Sequence, residues 1–446
     1  MLFRRATGSG TACPVRVLLV AEAANPEWVS VPLEGWSHTR AIARLVDAHV
    51  VTQVRNRDAF GRAGLADHEF TVIDNEALAR PLSRLAELLR GGKGKGWTTV
   101  MALRSLAYRS FETMLWERHG PAVRAREYDL VHRVTPLSPT VPSRLATWCR
   151  RAGVPFVLGP LNGGVPWPRG FDGARRKERE WLSYLRGLHR LVPGYRSTRR
   201  DAAAILVGSR DTWKQLPERW RDRAVYVPEN AIDPARFDLD SPLAPRADGP
   251  LRLAFVGRLV PYKGADMLLD AAAPLLRTGR ATLDVFGDGP ERATLEQQAA
   301  SLGVASATHF AGWVPHEQLG TRLRQSDVFA FPSVREFGGA VVLEAMASGL
   351  VPVVLDYGGP GELVTQRTGF SLPMGTRAEI VARFRTVLQQ VAADPAALAP
   401  MRATARRRVA ECFTWDAKAR QVLAVYEWVL GKRDKPDFGM PLPDRD

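Results

Sequence analysis

The sequence predicts two consecutive α/β domains, each built on a mainly parallel β-sheet. Short apolar runs typical of buried parallel strands recur along the chain, and helical patterns lie between most of them. The chain has 446 residues, which is too long for one ordinary domain. A hydrophobic content of 45% and a charged content of 24% exclude wholesale disorder.

The first domain is predicted over residues 15–228, after an N-terminal tail of residues 1–14. Its first strand candidate is residues 15–20, and a loop over residues 25–36 leads to Ser37, a suitable N-cap for the next helix. Its other strand candidates are short β-branched or aromatic runs at residues 49–54, 69–73, 130–134, 156–158, 204–207 and 225–227.

The second domain is predicted over residues 251–414, after a linker of residues 229–250 that is rich in Pro, Asp and Ala. Its strand candidates share the same apolar character and lie at residues 251–256, 282–286, 309–310, 328–331 and 351–355. A helix over residues 415–431 is expected to pack back on the first domain. Residues 432–446 form a polar tail that is expected to be disordered.

The stretch that opens the second domain carries groups suited to phosphate. The first strand ends at Gly257, and Arg258 and Lys263 follow before a helix. Residues at the carboxyl end of a parallel strand face the ligand-binding edge of the sheet. Glycine permits close approach of the backbone, Arg offers a planar fork to phosphate oxygens, and Lys adds a point charge. A solvated connection with incidental charges is the alternative interpretation.

A second group of residues follows the strand candidate at 328–331. Glu336 lies in the turn after that strand, and Gly338 and Gly339 open a helix that carries Glu344 two turns further on. The exposed N–H groups of a helix N-terminus bind anionic or hydroxylated ligands. The alternative for Glu344, an exposed helix glutamate, fits poorly with its apolar neighbours Leu343 and Met346.

Three motifs together resemble a known family. They are Gly257-Arg-Leu-x-x-x-Lys-Gly264, Phe286-Gly-Asp-Gly-Pro290, and the two glutamates Glu336 and Glu344 with seven residues between them. In this order they resemble the nucleotide-sugar domain of retaining glycosyltransferases of glycosyltransferase family four, the glycosyl transferases group 1. The resemblance implies a GT-B fold, in which two Rossmann-like domains face a central cleft. It also implies transfer of a hexose-type sugar from a nucleoside-diphosphate sugar to an acceptor, with retention.

The resemblance assigns roles to the matched residues. Arg258 and Lys263 would neutralise the donor pyrophosphate, and Glu336 would bind hydroxyls of the donor sugar. These cations would do the electrostatic work of a metal ion, so no metal and no cofactor are expected, and the nucleotide sugar is a substrate. Glu344 would bind the ribose and the backbone near Val314 would meet the base. The expected substrate-binding positions as a set are Gly35, Gly257, Val314, Phe337, Gly338, Gly339 and Glu344.

The first domain matches the family less well. The family usually has a Gly-Gly pair after the first strand, where this chain has Gly35 followed by Trp36. The family also carries a histidine after a central strand, and His132 stands there as the candidate for a catalytic contact with the donor sugar. A structural histidine with satisfied hydrogen bonds is the alternative for His132.

The excess positive charge lies in the first domain. Residues 1–200 hold 32 Lys and Arg against 17 Asp and Glu, and this imbalance equals the net charge of +15 of the whole chain. Residues 91–126 and 169–200 concentrate the charge and interleave it with aromatic residues, which favours an anionic membrane surface as a partner and a lipid-linked glycan as the acceptor. Helices that pack on their own sheet are the alternative. Nucleic acid is not expected, because no recognised binding motif accompanies the charge.

The sequence predicts a cytoplasmic protein, peripheral on the inner face of the plasma membrane. It has no apolar run of the roughly 18 residues needed to span a bilayer and no uninterrupted apolar core near its start. Alternative functions are a nucleotide-sugar epimerase of the same fold, a phosphorylase, for which no pyridoxal-phosphate lysine is identified, and a basic membrane- or nucleic-acid-binding protein on a decayed enzyme scaffold. The intact Arg258, Lys263, Glu336 and Glu344 argue against decay.

Overall fold

Two parallel β-sheets organise the part of the chain that the structure describes. The structure is a computed structural model, and it describes residues 14–78, 80–81, 97–168, 170–173, 192–239, 241–243, 246 and 248–444. These residues divide between two compact units. The first unit combines residues of Met1–Gly163, Glu178–Glu229 and Trp415–Phe438, and the second combines residues of Gly164–Lys177, Asn230–Thr414 and Gly439–Asp446.

The sheet of the first unit contains seven described strands, all of them parallel. They are β1 (Arg16–Ala21), β2 (Asp47–Gln53), β3 (Phe70–Ile73), β4 (Leu130–Thr135), β5 (Phe156–Leu161), β6 (Ala204–Val207) and β7 (Ala224–Tyr226). Their order is β3-β2-β1-β4-β5-β6-β7. The strand order therefore reverses between β1 and β4, which is where open α/β sheets bind ligands.

Helices cover both faces of this sheet, so its strands are buried on both faces. They are α1 (Val31–Ala43), α2 (Arg57–Arg62), α3 (Trp97–Arg124), α4 (Leu145–Ala152), α5 (Tyr195–Asp201), α6 (Arg210–Gln215) and, from the far end of the chain, α15 (Trp415–Val429). In β1 only Arg16 is exposed, as expected for a strand of a covered parallel sheet. One core cluster joins Leu19 of β1 and Ile42 of α1 to Val422 and Tyr426 of α15.

The second unit repeats this architecture with six described parallel strands. They are β8 (Leu251–Val256), β9 (Ala281–Phe286), β10 (Thr308–Gly312), β11 (Val328–Phe331), β12 (Val351–Leu355) and β13 (Phe370–Leu372). Their order is β10-β9-β8-β11-β12-β13, so the reversal lies between β8 and β11.

The described helices of the second unit precede, connect or follow these strands. They are α7 (Pro234–Phe237), α8 (Ala265–Arg277), α9 (Arg292–Ser301), α10 (His316–Leu323), α11 (Ala340–Ala347), α12 (Gly359–Leu363), α13 (Arg377–Ala393) and α14 (Leu398–Cys412). Asp327, which precedes β11, is buried and accepts hydrogen bonds from the Arg252 backbone and guanidinium, which ties the starts of β8 and β11 together.

The predicted fold class is confirmed, because the described chain forms two α/β domains with parallel sheets. Each predicted strand corresponds to an observed one. The short strand β13 was not predicted, because its three residues are only partly buried and carry little apolar signal.

The predicted start of the first helix is wrong. Ser37 does not cap α1, which begins at Val31 with a proline in its first turn. Proline is favoured there because its missing N–H has no intrahelical partner to lose. As a result Gly35 and Ser37 lie within the helix, and Gly35 is buried.

The C-terminal tail also differs from the prediction. Residues 439–444 are not disordered. Leu442 is buried, and the Arg408 guanidinium donates to the Leu442 carbonyl at 2.6 Å, the Pro443 carbonyl at 2.9 Å and the Asp444 carboxylate at 2.9 Å. A single buried arginine thus holds the end of the described chain on the second unit.

Parts of the two basic segments, residues 91–96 and 174–191, lie outside the described residues. Among the helices that the structure describes, none has both the length and the apolar character needed to cross a bilayer.

Candidate active site of the second unit

At the carboxyl edge of the second sheet, neighbouring loops are joined to each other by backbone hydrogen bonds. Gly257 donates to the Phe286 carbonyl at 2.9 Å, and Gly287 donates to the Gly312 carbonyl at 2.7 Å. On the other side of the reversal, Val334 donates to the Tyr262 carbonyl at 2.9 Å. The loops after β8, β9, β10 and β11 therefore hold each other in place at the position where an α/β sheet binds its ligand.

Two glycines make this packing possible. At Gly287 φ is +138°, and a Cβ atom there would lie 2.0 Å from the Gly257 carbonyl oxygen. At Gly264 φ is +78°, and a Cβ atom would lie 2.4 Å from the Pro332 carbonyl oxygen. Both positions exclude a side chain by backbone conformation and by space, which explains the glycines of the second and first sequence motifs.

Lys263 and Glu336 meet directly at this edge. The Lys263 ammonium contacts the Glu336 carboxylate, although the residues follow different strands of the sheet. Their side chains are 17% and 18% exposed, and the Lys263 Nζ lies 5.2 Å from the centre of the Phe331 ring. The pair thus offers a cation and a hydrogen-bond acceptor side by side, both still accessible to a ligand.

The N-terminus of α11 adds backbone donors next to Glu336. Gly339 caps the helix with φ of +69°, and it follows the partly exposed Phe337 and Gly338. Gly359 donates to the Glu336 carbonyl at 3.2 Å, which fixes the turn. Of the predicted residues at β8, Arg258 is exposed and Gly257 is partly exposed. The structure therefore places the predicted phosphate and sugar residues on one edge.

Glu344 has a partner that the sequence did not predict. Its Oε1 lies 2.7 Å from Nε2 of His316, the first residue of α10, which comes two residues after the predicted base-binding Val314. Nδ1 of His316 lies 3.0 Å from Nη1 of Arg236. The hydrogen bond to Glu344 raises the pKa of His316, against the opposing effects of partial burial and of Arg236.

A loop that continues from β5 completes the described surroundings of this edge within the second unit. The Arg335 side chain donates to the Val165 carbonyl at 3.4 Å and stacks on the ring of Trp167, with its guanidinium carbon 4.9 Å from the ring centre. The Tyr357 hydroxyl donates to the Pro166 carbonyl at 2.7 Å. These contacts pack the loop against the segments that follow β11 and β12.

In the first unit, His132 has the surroundings of a structural histidine. It is fully buried, and its Nε2 donates to the Gly159 carbonyl at 2.6 Å while its Nδ1 accepts from the Tyr426 hydroxyl at 2.6 Å. Burial lowers the pKa of His132 to about 3. Because both ring nitrogens are engaged, the geometry favours the structural alternative and offers no ring nitrogen to a ligand.

Gly35 is likewise used for packing. A Cβ atom at this position would lie 2.1 Å from the Ala23 carbonyl oxygen, so glycine allows α1 to press against the loop after β1. Nearby on α1, His38 is buried and its Nε2 donates to the Glu229 carbonyl at 3.0 Å.

The described residues contain no group of three or more His, Cys, Asp or Glu side chains arranged to hold a metal ion. The side chains at this edge can supply electrostatic and hydrogen-bonding chemistry. The edge can neutralise a diphosphate with Lys263 and Arg258 and orient hydroxyl groups with Glu336, Glu344 and the α11 N-terminus.

Comparison with known proteins places this edge within a matched region. Residues 240–405 match the family model described as glycosyl transferases group 1. A D-inositol 3-phosphate glycosyltransferase of Frankia alni is 31% identical over 331 residues, which cover 68% of this chain and 75% of that protein. A glycogen synthase of Mycobacterium tuberculosis is 35% identical over 230 residues, which cover 50% of this chain and 54% of that protein.

The chain thus spans about half the length of several of the curated relatives that it matches. Among solved structures, Anabaena Alr3699/HepE in complex with UDP is similar to this chain with a TM-score of 0.56 and 17% identity. The match covers 92% of this chain and 98% of that one. At this level of identity the likeness shows a common fold.

Proposed function

This chain belongs to the glycosyl transferases group 1, and we propose that it transfers a hexose-type sugar from a nucleoside-diphosphate sugar to an acceptor, with retention at the anomeric carbon. The observation that carries the proposal is the contact between Lys263 and Glu336 beside the N-terminus of α11. A donor sugar nucleotide carries a diphosphate next to a sugar ring with hydroxyl groups. This edge offers a cation that can bind the diphosphate next to a carboxylate that can accept hydrogen bonds from the hydroxyls.

In this proposal the second unit binds the donor. Lys263 and Arg258 stabilise the negative charge that grows on the departing diphosphate, as a metal ion does in other transferases, so the reaction proceeds without one. Glu336 and the N–H groups at the start of α11 bind the hydroxyls of the transferred sugar. Glu344 binds the ribose, and the backbone at Val314 meets the base.

Donor specificity tests the proposal directly. Incubation with UDP-, GDP- and ADP-sugars is expected to give saturable binding and slow hydrolysis of at least one donor, because the site itself polarises the bond to the diphosphate. UDP-sugars come first in the panel, since the structural neighbour from Anabaena was solved with UDP. Isothermal titration and detection of released nucleoside diphosphate provide the measurement. Folded protein that neither binds nor hydrolyses any of these donors contradicts the proposal.

The acceptor is proposed to be a lipid-linked glycan of a cell-surface polysaccharide pathway, presented by the cytoplasmic face of the membrane. The support is the charge distribution, because the whole excess of +15 lies in residues 1–200, whereas the donor-binding motifs lie in residues 257–344. An anionic surface attracts such a patch by about 1 kcal/mol for each Lys or Arg close to it.

Liposome flotation tests this membrane association. The protein is expected to float with vesicles of phosphatidylcholine and phosphatidylserine and to sediment with vesicles of phosphatidylcholine alone, and added salt should release it. Replacing Lys93, Lys95, Arg175, Arg176 and Lys177 by glutamine should abolish flotation. A control variant that replaces two exposed arginines of the second unit, Arg277 and Arg322, should float like the wild type. Unchanged flotation of the first variant contradicts the assignment of the basic segments.

A further inference from the structure

His316 connects two charged side chains that come from different parts of the second unit. Its Nε2 lies 2.7 Å from Oε1 of Glu344 on α11, and its Nδ1 lies 3.0 Å from Nη1 of Arg236 on α7. The three residues are separated by 80 and 28 positions in the sequence, so the fold alone brings them together.

The chemistry of Arg236 fixes the proton on the imidazole ring. A guanidinium group only donates hydrogen bonds, so Nδ1 of His316 must accept. The ring proton therefore resides on Nε2, which donates to the Glu344 carboxylate. The result is a directed chain from the Arg236 guanidinium through the neutral imidazole to the Glu344 carboxylate. Charge assistance at both ends makes these hydrogen bonds stronger than neutral ones.

We propose that His316 and Arg236 are positioning residues that orient the Glu344 carboxylate for recognition of the donor ribose. This inference rests on the proposed function, in which Glu344 binds the ribose hydroxyls. His316 engages Oε1 of Glu344 and leaves Oε2 to accept from the ribose hydroxyl groups. A carboxylate held in one orientation before the ligand arrives loses less side-chain freedom on binding, which increases affinity.

The packing around His316 supports a positioning role. The ring of Phe237 lies 6.5 Å from the imidazole ring, and Phe237 is itself buried. Arg324 donates to the Phe237 carbonyl at 2.6 Å, which holds α7 in place. The Glu344 side chain is 13% exposed, while that of His316 is 44% exposed. The carboxylate is thus the sheltered member of the pair, and the histidine approaches it from the solvent side.

Protonation of His316 is expected to remove its link to Arg236. The charged groups that face His316 are Glu344 from α11, Arg236 from α7 and Glu317 from its own helix. Oδ2 of Asp233 in turn lies 3.9 Å from Nε of Arg236. The Glu344 hydrogen bond raises the pKa of His316 above its usual value. Below that pKa, Nδ1 carries a proton and no longer accepts from the Arg236 guanidinium, so the link to Arg236 is lost while the Nε2 hydrogen bond to Glu344 is kept.

The experiment compares a ribonucleotide with its counterpart that lacks the ribose hydroxyls. UDP and 2′,3′-dideoxy-UDP are titrated by calorimetry, with the GDP and ADP pairs in parallel. Wild type is expected to bind the ribonucleotide roughly 10- to 100-fold more tightly, because the dideoxy ligand loses at least one charge-assisted hydrogen bond. H316F keeps a ring without nitrogens, so the preference should fall to about threefold or less. H316Q keeps an N–H group directed at Glu344 and should restore most of it, and R236M should lie between.

Two controls separate positioning from a general effect on folding. H309F replaces an exposed histidine on β10 of the same unit and should leave the preference at its wild-type value. The pH profile is the second control. Because both ligands carry the same diphosphate, its own titration cancels in the ratio of affinities. The wild-type ratio should decline toward the R236M value on acidification through the raised pKa of His316, whereas the ratio of H316Q should stay flat.

The possible results test the proposed donor site and the positioning role of His316 separately. If the wild type binds none of the six nucleotides, the proposed function and the role of His316 are both overturned. If H316F binds UDP and retains the wild-type preference for the ribonucleotide, the positioning role alone is refuted and the proposed donor site stands. A preference that collapses in H316F and returns in H316Q supports the inference.

Discussion

Replacing Lys263 by alanine (K263A) is expected to lower kcat/KM for the nucleotide-sugar donor by about 100- to 1,000-fold, the usual cost of losing one preorganised group that stabilises transition-state charge. The ammonium lies among Phe331, Tyr262 and Glu336, where water is partly excluded and its charge is poorly screened. Initial rates of sugar transfer or of donor hydrolysis provide the measurement, and calorimetry with UDP should show weaker binding as well.

The matched variant E336Q is expected to separate catalysis from nucleotide binding. It keeps the shape of Glu336 but removes the carboxylate that contacts Lys263. Turnover should fall, because the sugar hydroxyls exchange a charged acceptor for a neutral amide oxygen, which accepts more weakly. Affinity for UDP should stay equal or increase, because the ammonium no longer divides its charge between the carboxylate and the diphosphate. The effects in the double variant should be smaller than their sum, since the two groups touch.

Arg277 offers a control at the opposite end of α8 from the Lys263 loop. It is exposed, and its replacement by alanine removes the same charge about 20 Å from the loop, at a rise of 1.5 Å per helical residue. R277A should retain wild-type turnover. K263A activity within about fivefold of wild type, or loss of UDP binding together with turnover in E336Q, would contradict the roles given to the pair.

The sequence identified Lys263 and Glu336 because local pattern determines where each lies. A short apolar run marks a buried strand, and both residues follow the end of such a run, at Gly257 for Lys263 and at Phe331 for Glu336. Their contact was not predictable from spacing alone, because it depends on β8 and β11 being neighbours although two strands separate them in sequence. The same reversal of strand order that creates the edge therefore creates the ion pair.

The contacts of His316 and His132 could not be predicted from local sequence pattern. His316 follows a proline at the start of a helix, and neither Glu344 nor Arg236 lies within a few turns of it in sequence. Its position two residues after Val314 was the available signal, since Val314 and Glu344 were assigned to the same nucleoside. The prediction that His132 lies at a strand end is wrong, because it is the third residue of β4, which runs from Leu130 to Thr135. Its hydrogen bond to Tyr426 of α15, 294 residues away, could not be predicted from local sequence.

Acidification is expected to destabilise the first unit through its buried histidines. Burial lowers the pKa of His132 to about 3 and that of His38 to about 4, from 6.5 for an unburied histidine. Below pH 6.5 the unfolded chain therefore takes up protons at both positions while the folded chain does not. Stability rises with pH wherever the unfolded state binds more protons, so it falls as the pH drops from 6.5 toward 4. At about pH 5 each histidine therefore lowers the free energy of unfolding by about 2 kcal/mol relative to neutral pH.

Variants isolate this effect from titrations of opposite sign. Burial raises the pKa of Glu34 to about 7, so Glu34 takes up a proton in the folded state first and partly offsets the histidines. That contribution is common to wild type and H132Q, and it cancels in their difference.

Urea unfolding should show H132Q to be less stable by about 1–3 kcal/mol at neutral pH, because buried groups lose hydrogen bonds. The difference should shrink by about 2 kcal/mol at about pH 5, where only the wild type has lost stability at this position. H68Q, which replaces an exposed histidine of the same unit, is the control for the loss of a histidine as such and should be nearly as stable as the wild type at neutral pH. If the deficit of H132Q stays constant from neutral pH to pH 5, His132 is not held neutral in the folded chain.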